Sequence, residues 1–527
     1  MQKTPFKKGI CFFSGLWILF AFNACEIRKP KDPYTLIFNL AAEPDTLNHI
    51  TATDSATSTV DSFIFDSLIE RDNRTLDFKP KLAKSWEISD DKLTYTLHLR
   101  DDVKWHDGKP FTADDVIYSY QQIVSDKVDA GPLRNYYKDL SKVEKIDDYT
   151  VRFIWSTPYF KALEEVAGIP IVPKHIYDDG QDFNNHPNGR APTGTGPFKF
   201  KEWKTGHKIV LERNEEYWDK SKFPDIRKIE FDLIQDPGVA LQVLKKGDLD
   251  VADLRPIQWV RQTSSNKFNQ QFVKHQYVES GYSYIGWNQQ RSNAPFFKDK
   301  KVRLAMSYLV NRKDIAEKLQ FGLVQLTTGP FSIFGYEYDS SLPQIPFDPA
   351  HAKQLLDEAG WIDHNGDGIR DKDGVKFEFT FLISSGSTSS NRLATILKRD
   401  LEDAGISMQI EAIEWSAFTN RLDAKDFDAI SLGWTGSVDE DPYQIWHSSQ
   451  IEKGSNYIGF KNEEADKIME EARTVFDKER RTQLYHRFHQ IIYDEQPYTF
   501  LFARTSLFAR DKRFKNVEIY KLGPDFL

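Results

Sequence analysis

The sequence predicts an α/β protein with mixed sheets, divided into more than one structural unit. Three observations predict it. Apolar strands of period two recur along the chain, and helices with explicit start and stop signals lie between them in irregular alternation. The chain is also 527 residues long, whereas single cores stop growing near roughly 250–300 residues.

The first residues have a character of their own. Lys3, Lys7 and Lys8 precede an apolar stretch of 13 residues from Ile10 to Phe22. A bilayer span needs roughly 20, so the stretch fits the apolar core of a secretory signal peptide over residues 1–24. It closes on Phe22-Asn23-Ala24-Cys25, which resembles a bacterial lipobox. Lipid on Cys25 would then anchor the protein to a membrane; the alternative is cleavage after Ala24 with a free thiol. Residues 25–33 form a short polar tether containing two prolines. The other cysteine, Cys11, lies in the leader, so the body of the chain has no thiol for a disulfide, a zinc site or a nucleophile.

Beyond the tether, Leu93, Tyr95, Leu97 and Leu99 alternate with polar residues, as a half-buried strand requires. Thr112 with Asp115 three residues on is a capping box, opening a helix to about Val124. Val151, Phe153 and Trp155 mark the next strand. Asp299 can cap a helix whose Val302, Ala305, Met306 and Leu309 form one stripe. Asp348-Pro349 is a cap followed by proline at the first helical position, and Gly360 stops the helix carrying Ala352, Leu355, Leu356 and Ala359. Phe377, Phe379 and Phe381 predict a strand. A helix follows from about Asn391 to Ala404, and after Gly405 a strand begins at Ile406.

Composition narrows the function. The formal charge is −9 with no long basic run after the leader, which disfavours nucleic-acid binding. Aromatic residues make up 14% of the chain; most belong in cores, and a ligand cleft would use a few. Hydrolase, zinc-protease and phosphate-loop motifs are absent. Gly194-Thr195-Gly196 begins like a dinucleotide fingerprint, but Lys199 stands at the third glycine and Pro197 removes a donor. His486 and His489, three apart, are expected on a solvated helix face. Asp363, Asn365, Asp367 and Asp371 stand at positions 1, 3, 5 and 9 of a possible calcium loop with Gly368 at position 6, although Gly374 replaces the final glutamate. The alternative is a Gly/Asn/Asp-rich turn. No other cofactor is expected.

From residue 82 the pattern becomes specific: Leu82-Ala83-Lys84-Ser85-Trp86, then Val103-Lys104-Trp105-His106-Asp107-Gly108 and Phe111-Thr112-Ala113-Asp114-Asp115-Val116. Further blocks are Gly194 to Phe198, Leu211 to Asn214 with Tyr217-Trp218, Gly247 to Asp250, Val302 to Ala305, and Asp428 to Ile430 with Gly433-Trp434 and Asp441-Pro442. Together they resemble the extracellular solute-binding proteins of family 5, the oligopeptide-, dipeptide- and nickel-binding components of ABC importers. The resemblance implies a two-lobed periplasmic-binding-protein fold of type II, in its large three-region form. Residues 34–66, 191–285 and 497–527 would form lobe I, 67–190 an inserted domain, and 286–496 lobe II, with a two-crossing hinge near Trp287 and Pro497. Trp86, Tyr95 and Trp105 would pack a core.

The same resemblance implies a monomer on the periplasmic side of a bacterial membrane. It would capture a small solute, most readily a peptide, for a permease and ATPase complex, and it would not be an enzyme. Family members place an aspartate after the Gly-Trp segment to receive a ligand ammonium. Here a direct match puts Ser437 at that position, and Asp439 is the alternative, unless Asp439, Glu440 and Asp441 form a solvated turn. Glu43, Tyr282, Tyr284, Trp415 and Trp434 complete the implied ligand wall. Two other functions remain open: the same fold around a metal chelate or oligosaccharide, and a cell-envelope enzyme or structural lipoprotein.

Overall fold

The computed structural model describes residues 31–521 and 523–525. The leader and Cys25 lie outside the described residues. Among the described residues, no helix is long and apolar enough to cross a membrane.

One long mixed sheet organises the chain. Its strand order runs 407–413, 378–384, 429–434, 282–287, 498–511, 251–253, 35–40, 228–233, 208–213 and 198–204. Thr35–Leu40 pairs in parallel with Lys228–Leu233, and Glu378–Ser384 in parallel with Ser407–Ile413, whereas the central pairings are antiparallel. A separate antiparallel sheet of four strands, in the order 83–88, 94–99, 150–155 and 140–147, carries the inserted region. Tyr95 and Leu97 face Phe153 and Val151 across it and are buried, as period two predicts.

The strand Tyr498–Asp511 joins the two halves. Its first residues pair with Tyr282–Trp287 and its last with Val251–Asp253 and Phe272–Val278. The chain therefore passes between halves at residues 279–281 and again inside the long strand, after Arg504, since Val324–Leu326 pairs with Phe502 to Arg504 and Val278 with Thr505. Both points differ by a few residues from the expected Trp287 and Pro497, because backbone pairing decides which sheet a residue joins.

The capping signals lie where the sequence puts them. Thr112 and Asp115 form the capping box of Ala113–Val124, and Asp348 accepts from the His351 amide at the head of Pro349–Glu358. The stripe Val302, Ala305, Met306 and Leu309 is buried beneath the sheet with Phe377, Phe379 and Phe381. Each such side chain stabilises the fold by roughly 1.5–3 kcal/mol. The helix expected from Asn391 starts earlier, at Thr388, because Ser387 supplies the cap by accepting from the Ser390 amide.

Two expectations are corrected. Lys31 and Arg513 both pair with the buried Asp250, and Arg513 also donates to the carbonyls of Asp32 and Pro33. Residues 31–33 are thus part of the body rather than tether. His489 is not on a solvated face. It is fully buried, its Nδ1 accepting from the Asp339 amide at 3.1 Å, with Nε2 3.3 Å from the Thr328 hydroxyl. A loop spanning Thr327–Asp339 covers that face of the helix, which local periodicity cannot report.

The Gly194-Thr195-Gly196 turn serves packing. A Cβ on Gly194 or Gly196 would collide with the Ile64 carbonyl, and the Gly196 amide donates to that oxygen at 2.8 Å. Thr195 and Trp218 bond to the buried Asp66.

Candidate functional site

The strand Ala429–Trp434 runs antiparallel to Tyr282–Trp287, bringing Trp434 opposite Tyr282 at the sheet end. The chain then leaves the sheet as a loop over residues 435–441. Gly436 permits this exit, since a Cβ there would strike the Ser280 carbonyl. The loop is tied by its own bonds. The Ser437 amide donates to the Glu440 carboxylate, the Ser437 hydroxyl donates to the Asp439 carbonyl at 2.7 Å, and the Glu440 amide donates to Glu337 at 3.1 Å.

Against this loop stands the inserted region. Arg71 donates to Asp439 at 2.8 Å and to Glu164 at 2.8 Å. Tyr159 donates to Asp441 at 3.0 Å, and Lys161 lies 3.3 Å from the Ser437 hydroxyl oxygen. Arg473 pairs with Asp441 at 3.1 Å and gives its carbonyl to the Phe160 amide at 2.9 Å. The stretch Tyr159-Phe160-Lys161 therefore bridges residues 67–190 to residues 286–496. The acidic triplet Asp439, Glu440 and Asp441 is half-buried and engaged, so it is not a solvated turn.

Six carboxyl groups meet here: Glu164, Glu165, Glu337, Asp439, Glu440 and Asp441. Four of them have a Lys or Arg nitrogen within 4.0 Å. Glu337 and Glu440 have none among the described residues. Burial pushes both up to about 7, and Glu165 likewise, despite the Lys161 ammonium beside it. Lys161 is itself held above its ordinary value: burial works against its charge, but Glu164, Glu165, Glu440 and Asp441 outweigh it.

The aromatic residues sort themselves by contact. Tyr284 is fully buried and stacks on Tyr498 at 3.7 Å between centroids. Tyr282 is 6% exposed and packs on Phe500. Their hydroxyls, together with that of Tyr498 and the Trp434 indole nitrogen, are buried and make no hydrogen bond of good geometry among the described residues. Trp434 lies parallel to Tyr457 at 6.0 Å. Trp415 is 53% exposed and stacks on Phe418 of its own helix. Glu43 accepts from the Trp203 indole at 2.8 Å and from the Gly206 amide, which clamps the turn between Lys204 and Lys208.

Ser437, Asp439, Trp434 and Tyr282 are thus brought together, while Glu43 and Trp415 are engaged elsewhere. Arg71, Lys161, Glu337 and Glu440 were missing from the sequence-based candidates. The first three are far from residue 440 in sequence, and no local motif marks them; only the Asp439-Glu440-Asp441 run gave a signal.

The calcium-loop residues are occupied by their own turn. Asp363 accepts from the Gly366 and Gly368 amides, Asn365 from Asp367, and Asp371 from His364. Asp367 accepts from the Ile369 amide and pairs with Lys376 at 2.6 Å. No group of three or more His, Cys, Asp or Glu side chains suited to a metal ion occurs among the described residues.

Known proteins share this architecture. The chain is 35% identical over 507 residues to the oligopeptide-binding protein AppA of Bacillus subtilis, covering 94% of this chain and 90% of that one. The solved structure of that protein with a nonapeptide superposes with a TM-score of 0.81 at 32% identity, covering 92% of this chain and 96% of that one. NikZ of Campylobacter jejuni, solved with Ni(L-His), gives a TM-score of 0.79 at 27% identity and covers 93% and 97%. Residues 77–456 match the description "Bacterial extracellular solute-binding proteins, family 5 Middle". With the two-part sheet, the crossing strands and these likenesses in place, the chain belongs to the family 5 bacterial extracellular solute-binding proteins.

Proposed function

We propose that this protein captures a peptide between its two halves, outside the bacterial cytoplasm, and presents it to the permease and ATPase of an ABC importer. One observation carries the reading: the likeness to a protein solved with a nonapeptide extends over 92% of the chain at a TM-score of 0.81. A sheet end lined by Tyr282 and Trp434, beside an acidic loop, is chemically suited to an extended chain with a cationic end. The protein retains its ligand without altering it. Lipid on Cys25 holds it at the membrane, and it works as a monomer.

Mass spectrometry of small molecules released from the purified full chain tests this. A ladder of short peptides supports it, and a single non-peptide solute overturns the peptide while leaving solute capture intact. Intact mass at the amino terminus checks for lipid on Cys25. A second reading, capture of a metal chelate or another small solute, is favoured by Ser437 at the family's aspartate position and by the likeness to a structure holding Ni(L-His).

A further inference from the structure

We propose that the protein turns the face around Lys31 towards the membrane that carries its anchor, and that Asp250 sets this orientation by clamping the start of the body to the sheet. The inference rests on lipid at Cys25, proposed above, and does not depend on the ligand. It begins at the block Gly247-Asp248-Leu249-Asp250, whose last residue has no part in the candidate site. The Asp250 carboxylate is fully buried and takes four donors. These are Lys31 Nζ at 2.8 Å, Arg513 through Nε at 3.1 Å and Nη2 at 2.7 Å, and the Ile37 amide at 2.9 Å. Arg513 also grips the chain itself, donating to the carbonyls of Asp32 at 3.1 Å, Pro33 at 3.2 Å and Thr35. Breaking such a network is costly, because it leaves buried charge without a partner. Residues 31–35 are therefore fixed to the strand Thr35–Leu40, whose Leu36, Phe38 and Leu40 belong to the core shared with the inserted region.

The clamp limits the reach of the anchor. Six residues, 25–30, lie between the lipid position and Lys31 and its fixed neighbours. An extended chain spans at most about 3.5 Å per residue, so Lys31 stays within about 20 Å of the bilayer surface. A body of this size is roughly 60 Å across. A tether shorter than the body is wide prevents the far side from turning to the membrane. It also makes the half built on Thr35–Leu40 the stationary one, leaving residues 286–496 as the half that swings.

The chemistry of the face suits phospholipid headgroups. Tyr34 is 43% exposed, and the Arg227 guanidinium lies over its ring at 4.3 Å. An exposed tyrosine beside a cation is a pattern of membrane-interface positions. Arg227, Lys512 and Lys515 are exposed around the clamp, with Asp32 and Asp225 as exposed acids. The Asp32 carboxylate is taken by the Tyr34 amide at 3.1 Å and the Thr35 hydroxyl at 2.7 Å.

The test uses the full chain, purified with its anchor and reconstituted into vesicles of phosphatidylcholine and phosphatidylglycerol that hold acceptor-labelled lipid and no importer. Cys11 lies in the leader and Cys25 carries the lipid, so an introduced cysteine is the free thiol that takes a donor dye. Lys515→Cys labels the clamp face. Gln409→Cys labels the outermost strand of the other half, six strands from Thr35–Leu40 and hence about 29 Å away along the sheet. Energy transfer to the lipid is expected to be at least about twofold stronger from position 515. Inserting about twenty glycine and serine residues between Pro30 and Lys31 should remove most of that difference, since the reach then exceeds the width of the body. Arg513→Ala should lessen it. Equal or reversed transfer from the two positions overturns the orientation, and so does a difference undiminished by the insertion. A chain that carries no lipid by intact mass and stays off the vesicles overturns the anchor and this inference with it, while peptide capture stands. If Arg513→Ala fails to fold, the insertion decides.

Discussion

Arg71 Nη2 lies 2.8 Å from Asp439 Oδ2, joining side chains 368 positions apart across the two halves of the molecule. The same guanidinium holds Glu164 at 2.8 Å and lies over the Phe78 ring. It is therefore the hub of the contact between residues 67–190 and residues 286–496.

Arg71→Ala should destabilise the protein by about 2–4 kcal/mol, since it strands the half-buried Asp439 and leaves Glu164 only the Lys161 ammonium at 3.8 Å. Asp439→Asn should cost less, about 1 kcal/mol, because Arg71 keeps Glu164. Denaturant unfolding of the two variants checks the order. Equal effects would mean that Glu164 contributes nothing to the pairing.

Asp115 accepts from the Thr112 amide at 2.9 Å, the Lys174 amide at 2.9 Å and the Trp105 indole at 3.2 Å. Asp115→Ala leaves these three donors without their acceptor. At roughly 1 kcal/mol each, the loss should be about 3 kcal/mol. Thermal unfolding would register it, and a neutral outcome would show that water replaces the carboxylate.

Burial depresses His489 to about 4, against roughly 6.5 in an unfolded chain. A depressed group contributes stability that is fully present above the unfolded value and is lost as pH falls towards the folded one. Stability should therefore fall between about pH 6.5 and 4, by on the order of 3 kcal/mol from this residue. Glu337 and Glu440, raised to about 7, act in the opposite sense and lose their contribution as pH rises from about 4.5 towards 7. His489→Gln isolates the first effect. Its stability, measured against the wild type at pH 7 and 4.5, should close the gap at the lower pH.

Calcium should leave the melting temperature unchanged. Lys376 already supplies a cation to Asp367, and the oxygens of Asp363 and Asn365 accept backbone amides. Melting with millimolar calcium and with a chelator checks this. A rise of several degrees with calcium would mean that the Lys376 pair opens to admit the ion.

Much of the fold was legible because its signals are local. The cap at Asp348, the stripe from Val302 to Leu309 and the alternation at Phe377, Phe379 and Phe381 each depend on residues a few positions apart, and all three were placed correctly. Less of the site was legible. Tyr282 and Trp434 meet because their strands pair in register, but Trp415 and Glu43 fell elsewhere, and Arg71 and Lys161 carried no signal at all.

The sequence by itself determined the α/β class, the capped helices and the family, since these follow from periodicity, side-chain hydrogen bonding to nearby amides and ordered motifs. Only the tertiary structure decided which carboxyls hold a cation. Ion pairing falls off within a few ångströms and depends on groups hundreds of residues apart, so Arg71 beside Asp439 could be read only once the chain was folded.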